Sequence, residues 1–291
     1  MENILIKSMV LAVLINNRDR PTELALLLQS LRTQTYQDFD VFILDDCSGT
    51  LLNNYHFLSM MIVRMRQENH NVFVKRTDFN LGVSKARQEI VDMAMKGEYE
   101  LFLRVDDDCI LEQDYIERLV KVIDTGYDIA SGVTIPFTPQ IIREPSIIQR
   151  VNRVVLDKDG NFIFNGDDCG IGYTESKVIE ADHFRSCALM KRKVHEKVRY
   201  SPTRLSKNGF REEEIFSFNA LIEGFRIAVD TGATNYHLLT PSGGERDTMN
   251  MCGFNEMVLK DFVKENKDKL PKYFFGEIDK EVCMKETNCI R

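Results

Sequence analysis

The chain has 291 residues, of which 43% are hydrophobic and 29% are charged, so it can form a packed core and does not resemble a disordered or low-complexity protein. Its 38 lysines and arginines and 45 aspartates and glutamates give a net charge of −7, which offers no general electrostatic reason to expect a nucleic-acid or anionic-membrane partner. Seven cysteines without C-x-x-C spacing favour reduced thiols in a cytoplasmic protein over a zinc site or a disulfide framework.

The first 110 residues alternate strand and helix patterns. Strands are predicted at 9–15, 41–44, 72–75 and 101–105, and helices over about 21–31, 51–66 and 84–96. The apolar run at 9–15 is too short to cross a bilayer and leads directly into polar residues, so we expect a buried strand, with no signal peptide and no transmembrane segment. The alternation predicts a largely parallel sheet covered by helices, with ligands bound beyond the carboxyl ends of its strands.

The pattern becomes irregular between residues 136 and about 173. Three prolines and the sequence DKDGNF at 157–162 predict loops and a hairpin there. Regular patterns return as short runs at 188–190, 226–229 and 235–239, a helix over roughly 213–223, and an amphipathic helix carrying apolar residues from Phe254 to Val263. We expect two halves that share one sheet.

An acidic triplet directly follows the fourth predicted strand, in the sequence RVDDDCIL at 104–111. Asp106 and Asp108 are one residue apart, so they can face the same side and bind a hard divalent ion such as Mg²⁺ or Mn²⁺. A solvated acidic loop or the first turn of a helix would account for the same triplet. Asp45 and Asp46, at the end of the second strand, are equally compatible with a simple turn.

Four segments, in chain order, resemble motifs of the family 2 glycosyltransferases. They are VLAVLINNRDRPTELALLLQSLRTQTYQDFDVFILDDCSGT at 10–50, TDFNLGVSKAR at 77–87, GEYELFLRVDDD at 97–108 and FREEEIFSFNALIEGFRIAVDTGATNYHL at 210–238. In the family these are the opening strand, helix and D-D-x-S element, the N-x-G-x-x-x-A-R element, the strand before the DxD motif, and the acidic catalytic helix followed by a terminal histidine. The resemblance spans roughly residues 9–239.

This resemblance implies an α/β protein with the type A glycosyltransferase fold. In that fold a Rossmann-like nucleotide-binding half, built on a mostly parallel mixed sheet, is fused to an acceptor-binding half. We therefore predict a glycosyltransferase domain at 1–240, with a nucleotide-sugar-binding half at 1–110 and an acceptor and catalytic half at 111–240. Residues 241–291 would form a lid loop, centred on the glycines of 242–246, and a helical tail; an ordinary surface loop is the alternative for 242–246.

The resemblance also implies which residues contact the nucleotide sugar. Asp45 would accept a hydrogen bond from the nucleotide base, with Asp46 supporting it. Arg87 would pair with a carboxylate of the pocket or with the diphosphate, although an arginine on a helix also suits a structural ion pair. Asp106 and Asp107 complete the predicted donor-binding set.

Metal ligands and a catalytic base follow from the same motifs. Asp108 is the first predicted ligand of Mn²⁺ or Mg²⁺, Asp106 would contact the metal or the ribose, and His237 would be the third ligand. The base should come from the acidic cluster at 212–214, and the family pattern assigns it to Glu213. Many family members have aspartate at that position, and a cluster that only complements the helix dipole is the alternative.

The sequence thus predicts an inverting, metal-dependent hexosyl- or pentosyltransferase that uses a nucleotide-diphosphate sugar, preferably a UDP-sugar. A nucleotidyltransferase of related fold and a non-catalytic module that binds a sugar nucleotide or glycan are the alternatives. A glycan, lipid, protein or modified nucleic acid remains open as the acceptor, and the oligomeric state is unknown. Because the predicted site residues are mainly acidic, we also expect the cleft to repel an anionic donor until a divalent cation binds.

Overall fold

The computed structural model describes residues 10–137, 154–156, 162–164, 176–200, 205, 207, 209–240 and 248–275. The strands are β1 (Leu11–Asn17), β2 (Phe39–Asp45), β3 (Val72–Arg76), β4 (Leu101–Asp106), β5 (Cys109–Leu111), β6 (Ile129–Pro136), β7 (Val154–Leu156), β8 (Phe162–Phe164), β9 (Val178–Ala181), β10 (Ala188–Lys191) and β11 (Ile227–His237). The helices are α1 (Pro21–Arg32), α2 (His56–Gln67), α3 (Val83–Ala94), α4 (Tyr115–Asp124), α5 (Arg192–Lys197), α6 (Glu212–Ile222) and α7 (Thr248–Glu265).

One mixed sheet runs through the described part of the chain in the order β3, β2, β1, β4, β10, β6, β11, β5, with β9 also paired to β11. The four strands from β3 to β4 are parallel, as predicted. Strand β10 is antiparallel to both β4 and β6, and so joins the strands of the N-terminal part to those of the C-terminal part. The sheet confirms the predicted α/β class with a mostly parallel mixed sheet.

Strand β1 is buried on both faces of the sheet. Leu11, Val13 and Ile15 pack with α1, α2 and α4, whereas Ala12 and Leu14 pack with α3 and α6 on the opposite face. Successive side chains of a strand point to opposite faces, so a strand buried on both faces reads as an unbroken apolar run. The apolar run of β1 ends at Asn16 and Asn17, at the carboxyl end of the strand.

The carboxyl ends of β1, β2 and β4 lie side by side. Asn17 is opposite Asp45 in the β1–β2 register, and Asn16 is opposite Asp106 in the β1–β4 register. Residues that follow these strands therefore meet at one edge, which is where open α/β sheets bind ligands.

Several elements differ from the prediction. The helix predicted from residue 51 begins at His56, after a short 3₁₀ turn at Leu52–Asn54. The runs at 226–229 and 235–239 are the two ends of one strand, β11, whose pairing with β6 shifts register between Val229 and Thr234. No element was predicted for the segments that form β5, α4, most of β6, β9 and α5.

Strands β7 and β8 form the predicted hairpin, but its turn at 157–161 lies outside the described residues. The glycine loop at 242–246, predicted as a lid, is outside them too. Within the described part of the chain, no helix is long and apolar enough to cross a bilayer. Cys47, Cys109 and Cys187 are free thiols there.

Gly82 shapes the turn that enters α3. Its backbone, at φ 80° and ψ 161°, is in a region open almost only to glycine, and an added Cβ would lie 2.8 Å from the Cα of Lys207. Gly82→Ala should therefore lower the free energy of unfolding by about 1–3 kcal/mol, measured by denaturant titration. Gly253→Ala is the matched control, because a Cβ at this helical position meets no atom within 4 Å. Equal stability of the two variants would contradict the role of Gly82.

His195 should make the fold sensitive to acid. Burial among aromatic rings lowers the pKa of His195 to about 4. The unfolded chain takes up a proton below its ordinary pKa of about 6.5, and the folded chain does so only near 4. This group therefore contributes its full stability above pH 6.5 and loses it as the pH falls toward 4, at up to about 1.4 kcal/mol per pH unit.

Denaturant unfolding of His195→Leu at several pH values between 4 and 7 measures this contribution. The variant should show a shallower loss of stability toward acid pH than the parent chain. Phe216→Leu changes a ring in the same aromatic cluster without removing a titrating group, so its acid slope should match that of the parent. An unchanged slope in His195→Leu would contradict the prediction.

Candidate active site

A cleft of about 650 Å³ opens at the carboxyl edge of the sheet. The ends of β1, β4 and β11, the turn before α3, the segment before β10 and the first turn of α6 line it. The acidic triplet, the acidic cluster of α6 and His237 therefore reach one space, although the triplet is more than 100 residues from the other two in the chain. The described lining carboxylates are Asp46, Asp106, Asp107, Asp108, Glu212, Glu213 and Glu214.

Basic side chains nearly balance this acidity, contrary to the prediction of a repulsive cleft. The described lining also contains Arg18, Arg20, Arg87, Arg185, Lys207 and Arg211. Seven carboxylates face six lysines and arginines, so net repulsion of an anionic donor is not a sound reason to expect metal dependence. The prediction of repulsion rested on the acids of the recognised motifs, whereas the basic residues of the lining fold against them from other segments.

Asp108 and His237 are in direct contact. Nε2 of His237 lies 3.1 Å from Oδ1 of Asp108, and Asp108 is buried. Burial acts to lower the pKa of His237, but its hydrogen bond to Asp108 and the charges of Asp106 and Glu213 raise that pKa above the ordinary value of histidine. A carboxylate oxygen and an imidazole nitrogen thus face each other at the end of β11.

Arg20 balances the charge of the acidic triplet. Its Nη1 lies 2.8 Å from Oδ1 of Asp107 and 3.0 Å from Oδ2 of Asp108, and its Nη2 donates to the carbonyl of Thr240. Asn17 also donates a hydrogen bond to Asp107. Burial raises the pKa of Asp107 to about 7, against the opposing effect of Arg20. The guanidinium of Arg20, the residue before α1, therefore already pairs with two of the three aspartates.

Asp106 belongs to a different group of charges. Its Oδ1 accepts a hydrogen bond from Nη2 of Arg87 at 2.8 Å, and Nη1 of Arg87 lies 2.8 Å from Oε1 of Glu212. Nη2 of Arg104 lies 3.0 Å from the same oxygen of Glu212 and also contacts Oε1 of Glu213. Arg87 therefore pairs with carboxylates of the pocket, which was one of the two roles predicted for it.

This group contains two guanidinium ions and three carboxyl groups, so the acids outnumber the arginines by one. Glu212 is its most buried carboxylate, and burial raises the pKa of Glu212 well above its ordinary value, against the opposing effect of Arg104. Glu213 is more accessible, with 24% of its side chain exposed. Both glutamates have a carboxylate oxygen held by arginine, but the side chain of Glu213 is the more exposed of the two.

The chain conformation at Arg211 presents these acids to the cleft. Arg211 precedes α6 in the left-handed region, with φ 71°, and its side chain pairs with Glu214 at 2.8 Å and Glu256 at 2.7 Å. The acidic first turn of α6 also complements the helix dipole, which was the alternative reading of the cluster. The first turn of α6 therefore both complements the helix dipole and lines the cleft, with Glu214 held by Arg211 and Glu213 facing the cleft.

The two aspartates after β2 differ in position. Asp46 lines the cleft and accepts hydrogen bonds from the backbone N–H groups of Leu81 and Gly82, so it fixes the turn before α3. Asp45 accepts hydrogen bonds from Arg76 at 2.7 Å and from the N–H of Ser48 at 3.0 Å, and it is outside the described cleft lining. Its contact with a nucleotide base stays a prediction.

A complete three-ligand metal site is not preformed among the described residues, since no three His, Cys, Asp or Glu side chains are grouped to hold an ion. Asp108 and His237 supply two suitable ligands, while Asp106 is turned toward Arg87. The donor chemistry nevertheless suits a divalent ion, because carboxylate oxygen and imidazole nitrogen are ligands that Mn²⁺ accepts.

Sequence reasoning missed Arg20 and Arg104. Arg20 is in the Arg-Pro turn before α1, where nothing local indicates a partner 87 residues away. Arg104 interrupts the apolar strand LFLRVD, and arginine is almost never fully buried unless it is paired. That interruption was a usable signal for a buried ion pair, although it does not reveal the partner.

Comparisons with known proteins identify related sequences and structures. Residues 12–199, more than half of the chain, match the family described as "Glycosyl transferase family 2". An uncharacterized glycosyltransferase of Haemophilus influenzae is 30% identical over 120 residues, which are 41% of this chain and 36% of that protein. Glycosyltransferase GlyA of Streptococcus pneumoniae is 31% identical over 110 residues, which are 36% of this chain and 14% of that protein. The matched region is therefore a minor part of both relatives.

Solved structures show the same fold. The structure of S. aureus TarS 1-349 in complex with UDP-GlcNAc has a TM-score of 0.58 and 18% identity, covering 87% of this chain and 65% of that one. GalNAc-T7 with UDP, GalNAc and Mn²⁺ has a TM-score of 0.65 and 14% identity, covering 96% of this chain and 55% of that one. These likenesses confirm the type A glycosyltransferase fold. With the match to the family over 12–199, they show that the chain belongs to the family 2 glycosyltransferases.

Proposed function

We propose that this glycosyltransferase moves a sugar from a UDP-sugar to an acceptor hydroxyl in one displacement, with inversion and with the help of a divalent metal ion. The observation that carries the proposal is the meeting of Asp108, His237 and Glu213 around one cleft at the carboxyl edge of the sheet. The UDP-GlcNAc complex of TarS and the UDP, GalNAc and Mn²⁺ complex of GalNAc-T7 support a nucleotide-sugar donor and a metal.

Asp108 and His237 would hold the metal, and Asp106 would join them only after leaving Arg87. When bound, a divalent ion there would neutralise the charge that develops on the departing nucleoside diphosphate. Arg20 holds Asp107 and Asp108 in place through its two short contacts. The basic side chains of the cleft lining supply further positive charge for the diphosphate.

Glu213 acts as the general base. In the displacement, the acceptor oxygen forms a bond to the anomeric carbon, the bond from that carbon to the diphosphate oxygen breaks, and the acceptor proton passes to Glu213. The electron pair of the broken bond leaves with the nucleoside diphosphate. Attack from the face opposite the leaving group inverts the anomeric configuration. Glu213 suits this role because its carboxylate is anchored by one oxygen and reaches the cleft.

A donor screen tests the proposal. The chain is incubated with individual nucleotide sugars, Mn²⁺ and simple sugar acceptors, with water as a further acceptor. Thermal stabilisation and release of nucleoside diphosphate are both measured, because a bound donor raises the melting temperature by mass action. We expect a UDP-sugar to stabilise the chain and to yield UDP. Release of pyrophosphate would indicate a nucleotidyltransferase, and stabilisation by donors without any turnover would indicate a binding module; either result contradicts the proposal.

A further inference from the structure

A buried guanidinium lies directly beneath the acidic cluster of α6. Arg104 is in β4, two residues before Asp106, and only 4% of the residue is exposed. The rings of Phe184 and Tyr200 flank its guanidinium, with ring centres 5.3 and 6.0 Å from Cζ. Burying such a charge costs several kcal/mol unless it is paired. The position of Arg104 is therefore determined by the carboxylates around it and by the rings that flank it.

Arg104 and a backbone N–H hold the same oxygen of Glu213. Nη2 of Arg104 donates to Oε1 of Glu213, and the N–H of Ser186 donates to that oxygen at 3.1 Å. The other carboxylate oxygen, Oε2, has no hydrogen-bond partner among the described residues. The side chain of Glu213 is thus fixed at one oxygen, and the residue lines the cleft.

The two arginines of this cluster share Glu212 but differ in how closely they approach Glu213. Arg87 lies within 2.8 Å of Asp106 and Glu212, but its nearest approach to Glu213 is 4.0 Å. Arg104 reaches both Glu212 and Glu213 through one nitrogen, Nη2. Of the arginines in the described part of the chain, Arg104 is therefore the one that hydrogen-bonds Glu213 directly.

We propose that Arg104 is a positioning residue for the base, and this inference rests on the proposed function of Glu213. By binding Oε1, Arg104 fixes the orientation of the carboxylate and keeps Oε2 available to accept the acceptor proton. In this role Arg104 touches neither the substrate nor the transferred proton. Its Nη2 also contacts Glu212, so two carboxylates hold the guanidinium in place. A misplacement of about 1 Å in a reacting group can cost on the order of 100-fold in rate, so loss of this anchor should be visible in turnover.

Arg104→Met and Arg104→Lys test the inference in the full chain. Release of UDP is measured with the UDP-sugar that the donor screen identifies, and UDP binding is measured by titration. Arg104→Met should lower kcat by about 10- to 100-fold and leave the Kd for UDP within about threefold of the parent value. Arg104→Lys should recover part of kcat, because lysine offers one nitrogen and the same charge on a shorter stem.

Arg118→Met is the matched control. Arg118 forms a partly buried ion pair with Asp230 at 3.0 Å, and it is not in the described lining of the cleft. Its loss should lower the melting temperature and leave kcat within about twofold.

If Arg104→Met does not fold, Arg104→Lys decides the question, because it keeps the buried charge paired. A folded Arg104 variant of either kind with the kcat of the parent would overturn the proposal.

A double-mutant cycle separates positioning from a general structural effect. On a Glu213→Gln background, Arg104→Met should cause no further loss of the residual rate, because the base it positions is already gone. A loss of the same factor on both backgrounds would show that Arg104 acts independently of Glu213, and would overturn the proposal. Full activity of Glu213→Gln alone would instead refute the proposed base, a result distinct from any outcome at Arg104.

Discussion

Glu213→Gln is expected to reduce sugar transfer by about 10²- to 10⁴-fold, the usual contribution of a general base. Glutamine keeps the shape of the side chain and can still accept hydrogen bonds at one oxygen from Arg104 and Ser186, but it cannot take the acceptor proton. Donor binding should therefore survive. UDP release under saturating donor, together with UDP titration, separates the two effects as a fall in kcat at an unchanged Kd.

Glu214→Gln is the matched control for this change. Glu214 is the next residue of the same helical turn, but its carboxylate is held by Arg211 at 2.8 Å. Its neutralisation should cost stability and leave most of the turnover. If Glu214→Gln were inactive and Glu213→Gln active, the base would have to be reassigned within the acidic cluster. If all variants of the cluster remained active, a carboxylate base from this cluster would be excluded.

The N-terminal half of the fold could be predicted because its signals are local. Strands β1, β2 and β4 are mainly apolar and end in Asn or Asp, and parallel strands bring such ends to one edge. The acidic triplet was recognised because it directly follows an apolar strand, whereas the acidic first turn of α6 was identified through the family resemblance. Their meeting in one cleft follows from the strand order and not from any single motif.

Elements were missed where tertiary contacts override the local pattern. Strand β6 contains Gly132, which weakens a strand signal, and yet glycine is required there because a Cβ would lie 2.2 Å from the carbonyl oxygen of Ala233. Helix α4 is short, and its apolar residues at 115, 116, 119, 122 and 123 would have indicated an amphipathic helix. The omission of β6 has a structural reason, whereas α4 could have been predicted from its apolar pattern.

The charge pairing of the site could not be obtained from the sequence. Arg104 contacts a carboxylate 109 residues away, and Arg20 contacts one 87 residues away. An acidic site was predicted because the recognised family motifs contain the acidic residues. The arginines that pair with these acids lie in strands and turns and were not part of the predicted acidic set. The predicted metal ligands are divided for the same reason, with Asp108 facing His237 and Asp106 facing Arg87.

Asp108→Asn is expected to lower turnover by roughly 10³-fold, because a metal-borne neutralisation of the leaving group is worth several kcal/mol and each 1.4 kcal/mol is a factor of ten. The amide retains a contact for His237 but loses the negative charge that a divalent ion requires. Half-maximal activation should need at least about tenfold more Mn²⁺ than in the parent chain. His237→Ala should shift this Mn²⁺ dependence in the same direction, since it removes the other ligand of the pair.

Asp128→Asn is the control for loss of a buried, paired carboxylate. Asp128 pairs with Lys193 at 2.6 Å, accepts a hydrogen bond from the N–H of Arg226, and is not in the described cleft lining. Its replacement should reduce stability and leave the Mn²⁺ dependence unchanged. A parent chain that works equally well with a chelator would contradict metal dependence. The pairing of Asp108 with Arg20 at 3.0 Å would then become its main role, with the guanidinium supplying the positive charge at the end of β4.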